Sequence, residues 1–231
     1  MNRLQILNQE ITHCRLCPRL AEHREIMARV KRRAYQDQTY WGRPVTGFGD
    51  PWGRLLMIGL APGAHGANRT GRVFTGDRSG DFLYRALFEA GFASQPESVS
   101  VDDGLVLRDA YISAAVRCAP PGNKPLPIEI STCRTYLQRE MALLPNVKVV
   151  MALGRLAFES YLTLLRNTGK IGSRSGFTFG HGTVHRCAPP LPTLVTSYHP
   201  SQQNTSTGRL TAGMLREVFL TVRSLIQEAR G

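Results

Sequence analysis

No run in this 231-residue chain approaches the ~20 apolar residues that cross a bilayer, and its polar start, MNRLQILNQE, lacks the hydrophobic block of a secretory signal. A membrane span is not expected, and the cytoplasm is the expected compartment. Acidic residues are scarce: 17 Asp and Glu stand against 29 Lys and Arg, giving a formal charge of +12 and a pI near 10.1. That imbalance is the electrostatic footprint of a nucleic-acid binder, although charge alone does not separate DNA from RNA. Internal repeats and low-complexity tracts are absent, and so is any exposed heptad pattern, so a monomer is expected.

What is present is an alternation. Four β-branched or apolar runs read as buried strands: Arg54–Leu60, Ala110–Val116, Val147–Leu153 and Thr193–Tyr198. Helical patterns follow at Ser79–Ala90, with Ser79 as the expected N-cap, and at Ile128–Leu144, Arg155–Leu165 and Thr211–Ala229. The alternation predicts an α/β fold: one three-layer α/β/α sandwich, spanning 1–231, around a mostly parallel sheet of about four strands. Ligands of such sheets sit at the carboxyl ends of the strands. The first fifty residues differ, passing from a helix-cysteine segment through the basic stretch RVKRRAYQ to GRPVTGFGDPWG, and are expected to pack onto the sandwich. The Gly- and Arg-rich segment 169–192 reads as a surface excursion or hairpin.

Cysteine is also sparse, with five in the chain. In a reducing compartment they are more suited to a metal or cluster than to disulfides. Cys14 and Cys17, two residues apart, form a half-site, and Cys118 and Cys133 supply a second pair. Four thiolates serve zinc or a four-iron, four-sulfur (4Fe-4S) cluster, and spacing does not choose between them. Free cysteines are also among the most buried residues, which is the reading for unpaired Cys187.

Three of the four strand-end loops are dense in Gly, Pro, Asn, His and Arg. GLAPGAHGANRTGRVFTGD (Gly59–Asp77) lacks the G-x-x-x-x-G-K-[ST] pattern, which excludes a P-loop, while its glycines still permit close backbone approach to a ligand. It resembles the first motif of the family-5 (type B) uracil-DNA glycosylases, members of the uracil-DNA glycosylase superfamily. YHPSQQNTSTGRLT (Tyr198–Thr211) resembles their second motif and AAVRCAPPGNKP (Ala114–Pro125) the segment between; CRLCPRL with Cys118 and Cys133 fits the family's four-cysteine cluster. The type A branch has an acidic residue after the strand-end Gly, where this chain has Leu60; Asp77 in TGD fulfils the type B pattern instead.

The resemblance implies a monofunctional glycosylase that flips uracil, hypoxanthine or modified pyrimidines out of DNA and hydrolyses their bond to deoxyribose, with a structural 4Fe-4S cluster on Cys14, Cys17, Cys118 and Cys133. Asp77 is expected to polarise the attacking water, with helix capping as its competing task. His199 is expected to donate to the leaving base, Phe74 to stack on it, and Asn123 to hold water or nucleotide. Gly63, Ala64, His65, Asn68, Arg69, Arg72, Lys124, Ser201, Gln202, Asn204 and Arg209 are expected to face the base or the DNA. The rivals are a nucleotide-binding enzyme, which would need a metal-carboxylate cluster, and a noncatalytic iron-sulfur or zinc DNA-binding module.

Overall fold

The computed structural model describes residues 2–229. The chain begins with helices α1 (Arg3–Thr12) and α2 (Pro18–Val30), then β1 (Phe48–Gly49), β2 (Leu55–Gly59), α3 (Ala67–Thr70) and α4 (Arg78–Glu89). It continues through β3 (Ala110–Ala114), α5 (Pro127–Met141), β4 (Val149–Leu153) and α6 (Arg155–Asn167), and closes with β5 (Val184–His185), β6 (Thr193–Ser197), α7 (Gln202–Ser206) and α8 (Ala212–Glu228).

The four long strands carry no charged side chain, and β2, β3 and β4 are buried throughout, as parallel strands covered on both faces must be. They pair in parallel in the order β3-β2-β4-β6. Alternate residues divide the core: Leu55, Met57, Ile112, Met151 and Val195 pack with α4 and α8, whereas Leu56, Ile58, Val150 and Leu194 pack with α6 and the end of α5. Two short antiparallel strands, β1 beside β3 and β5 beside β6, extend the sheet at its edges. Both were absent from the sequence expectation, because two residues carry no periodicity; β5 is the hairpin-like part of the 169–192 segment.

Helix starts follow local chemistry. Pro18 and Pro127 occupy the first turns of α2 and α5, where a missing N–H costs nothing. The cap of α4 is Asp77 and not Ser79: Asp77 has extended backbone and its side chain accepts from the amides of Ser79 and Gly80. The N-terminal helices pack on the sandwich, α1 against α5 and α2 against α3.

From β2 the chain crosses to β3 on one side, then returns to β4 and β6 on the other. The reversal opens a crevice at the carboxyl ends of the strands, where the two motif-bearing loops meet. No helix of the described residues is long and apolar enough to cross a membrane.

Candidate active site

A cavity of about 390 Å³ fills that crevice. Gly59 to Gly63, Phe74 and Asp77 line it from the β2 loop, Gly122 and Asn123 from the β3 loop, and His199, Ser201 and Gln203 from the β6 loop. Asp77, Asn123, His199 and Phe74, separated by up to 125 positions in sequence, thus face one space.

Asp77 caps α4 and also lines the cavity, so capping does not exclude the other task expected of it. Its Oδ1 accepts from Ser79 N at 3.0 Å and Gly80 N at 3.1 Å, anchoring the carboxyl at the start of α4. Its Oδ2 lies against Gly66, where an added Cβ would overlap it, so the turn needs glycine there to let the carboxylate in. Burial pushes the Asp77 carboxyl above the ordinary aspartate value, against the opposing pull of the two amides.

His199 lies two residues beyond the end of β6, and burial pushes its imidazole down to about 4. At neutral pH the ring is uncharged, with one N–H to donate. Its carbonyl accepts from Asn204 Nδ2 at 2.9 Å, so Asn204 holds the loop that carries the histidine. The Phe74 ring centroid is 5.7 Å from that of His199, with the planes tilted by 33°. Phe74 has a left-handed backbone (φ 50°), and its ring edge would lie 2.8 Å from a Cβ at Gly59; only glycine leaves it that berth. Asn123 is exposed on the cavity rim, in a left-handed turn shared with Gly122.

The β2 loop sends fewer residues to the surface than its composition suggests. Gly63 lines the cavity and half-buried Ala64 accepts from Asn68 at 3.4 Å. Asn68 is fully buried, its amide donating to the carbonyls of Arg24 and Ala64, which corrects its expected place beside the nucleotide. Arg72 is 4% exposed and pairs with Asp103, Ser98 and Thr75; a guanidinium so enclosed does not reach DNA, and that expectation is corrected too. Although burial alone would raise the Asp103 carboxyl, Arg72 and three backbone amides hold it well below the carboxylate range. Arg69 clasps the loop, donating to the His65 and Gly76 carbonyls and to Gln38. His65 Nδ1 lies 3.0 Å from Tyr40 Oη.

Residues 46–223 match the family model described as the uracil DNA glycosylase superfamily. The chain belongs to the uracil-DNA glycosylase superfamily. It is 52% identical over 217 residues to the type-5 uracil-DNA glycosylase of Thermus thermophilus, covering 94% of this chain and 95% of that protein. The Mycobacterium tuberculosis type-5 enzyme is 50% identical over 220 residues (95% and 80%), and the Pyrobaculum aerophilum type-5 enzyme 44% over 209 (90% and 87%).

In this superfamily member the β6 loop divides between cavity and surface. Ser201 caps α7 and lines the cavity, while Gln202 is exposed and Arg209 stacks over the Tyr198 ring at 4.8 Å. Gln203, which the sequence reading did not single out, lines the cavity; α7 is too short for a periodic signal to mark it. Exposed Lys124 follows the Asn123 turn, and its carbonyl accepts from Arg19. Ser98 and Asp103, the partners of Arg72, and Tyr40 gave no local signal, because each acts on a loop distant in sequence.

A second cluster gathers Cys14, Cys17, Cys118 and Cys133 around one small cavity, with Arg24 and Tyr136. Arg24 Nη1 lies 2.9 Å from Cys118 Sγ, and the Arg117 amide donates to Cys133 Sγ at 3.2 Å. Burial pushes the Cys133 thiol up to about 12. Among the described residues no three His, Cys, Asp or Glu side chains are arranged to hold a single metal ion. Cys187 stands apart, half-buried near a different cavity with Phe177 and Pro190.

Proposed function

We propose that this chain is a monofunctional DNA glycosylase of base-excision repair that flips uracil, and also hypoxanthine and modified pyrimidines, out of DNA and leaves an abasic site. The observation that carries the reading is the convergence of Asp77, Phe74, Asn123 and His199 on one cavity at the strand ends. The names of its relatives, type-5 uracil-DNA glycosylases, support the uracil part of this reading.

Extruding a base costs a few kcal/mol, offset by stacking and by phosphate contacts. Phe74 supplies the stacking face. As the glycosidic bond breaks, the sugar gains positive charge and the base negative charge. Asp77 Oδ2 polarises the water that attacks C1′ and offsets the sugar's charge; the water's proton is released and the base leaves with the bonding electrons. His199 donates its single N–H to the base oxygen where negative charge grows, a contribution of ~2.7–4 kcal/mol in comparable oxyanion sites. A neutral donor suits this, since imidazolium would also hold phosphate and product. Asn123 orients water or nucleotide from the rim, and Lys124, Gln202 and Arg209 meet phosphates.

The four-cysteine site is proposed to hold a structural 4Fe-4S cluster, as the family resemblance implies. Its donor set fits: four free cysteines around one cavity, with Arg24 and the Arg117 amide aimed at sulfur. The bound cluster would tie α2 to the β3 end and to α5.

A noncatalytic DNA-binding module would leave the cavity without a task. A 2-aminopurine opposite uracil tests the reading: it should brighten as the base unstacks, and the strand should become alkali-labile. Binding without brightening or lability would refute it.

A further inference from the structure

The basic stretch RVKRRAYQ has no part in the cavity. It begins at the end of α2, leaves the helix through Lys31 (φ 57°) and forms a short turn over Arg33–Tyr35. Beside it, between α2 and the segment 40–43, lies an open groove of about 590 Å³, larger than the base cavity. Arg15, Arg24, Arg29 and Arg43 line it against a single acid, Glu25. Glu25 is already paired with Arg15 at 2.5 Å and lies 3.6 Å from Arg24. Arg29 and Arg43 are exposed and make no salt bridge among the described residues. Arg43 is braced over the Trp41 ring at 5.6 Å, and Arg24, 3% exposed, has an Nε without a partner.

The groove is physically joined to the base cavity. Trp41 N donates to Arg69 O at 2.8 Å and Gly42 N to Asn68 O at 3.0 Å, so the groove wall is bonded to the helix that follows the cavity loop. Tyr40, in the groove, meets His65, and Arg69 stacks on Tyr35 at 4.1 Å. His65 is pushed down chiefly by burial and then by Arg32 and Arg69, which places positive charge between groove and cavity.

We propose that this groove binds the sugar-phosphate backbone of the DNA flanking the flipped nucleotide, with Arg29 and Arg43 each meeting one phosphate. The proposal rests on the glycosylase reading. Guanidinium forks suit phosphate, and an open groove with four arginines against one acid that is already paired suits a polyanion.

The test is equilibrium binding to a duplex with one hydrolysis-resistant 2′-fluorinated deoxyuridine, measured between about 50 and 200 mM salt. Each lost phosphate contact removes ~0.9 from the slope of log affinity on log salt, so the Arg29→Gln, Arg43→Gln double variant should lose about 1.8. Arg85→Gln with Arg166→Gln, exposed on α4 and α6, removes the same charge away from both cavities and should leave the slope unchanged. A groove variant with the wild-type slope, or a control that lowers it equally, overturns the proposal. Base release by the wild-type chain is followed separately: intact release with an unmoved slope sinks the groove alone, and absent release sinks the glycosylase reading.

Discussion

Replacing Asp77 with asparagine separates helix capping from the catalytic task proposed for its carboxyl. Asn is as good an N-cap as Asp, so Asp77→Asn keeps an oxygen for the amides of Ser79 and Gly80 while removing the charge at Oδ2. The stability effect has a definite sign. The folded carboxyl has a raised pKa, so the native state holds the proton more tightly than the unfolded chain, and stability from this group falls as pH rises through the folded value. At neutral pH the charge is therefore carried at a cost, and Asp77→Asn should melt no lower than wild type. Asp77→Ala loses the cap as well, ~1 kcal/mol, which for a domain of this size lowers Tm by about 2–4 °C. Base release should fall by about 10²–10⁴ in both, the usual span for a positioned acid-base group. Single-turnover release and thermal unfolding of the three proteins measure this together. Release by Asp77→Asn within a few-fold of wild type, with Asp77→Ala merely less stable, would reduce Asp77 to a cap.

His199→Ala should slow single-turnover release by about 10²–10³, matching the loss of one leaving-group donor, and restored release with a base of lower pKa checks that assignment. Because His199 is pushed down to about 4 and Asp77 is raised, the rate should show no inflection near the ordinary histidine value of ~6.5 and should fall on acidification above the ordinary aspartate value. Arg72→Ala leaves the Asp103 carboxylate to its three backbone amides and should cost ~1–3 kcal/mol of stability without changing the salt slope of DNA binding, as thermal melts and titrations would show. Anaerobic purification should give a brown protein with about four irons, and one zinc in a colourless protein would reverse the cluster assignment.

The four parallel strands were legible because they are uncharged runs bounded by turn-rich loops, and their ends fell within two residues of expectation. Strand ends located the crevice, and the motif loops located Asp77, Phe74, Asn123 and His199 on it. What a loop's composition does not encode is which of its polar residues turn inward. Arg72 and Asn68 look like DNA contacts beside Arg69, yet their partners, Asp103 with Ser98 and the Arg24 carbonyl, lie 26 to 44 positions away in sequence. The same blindness hid the cap: Asp77 and Ser79 both suit the start of α4, and only backbone geometry decides between them.

The most direct measurement is single-turnover release of free base from otherwise identical oligonucleotides carrying one uracil, one hypoxanthine or no lesion, followed by alkali to cut at abasic sites. The account predicts release from the lesion strands, an alkali-labile site at the same position, and neither from the unmodified strand. Salt-dependent binding to all three with no base released from any would contradict it.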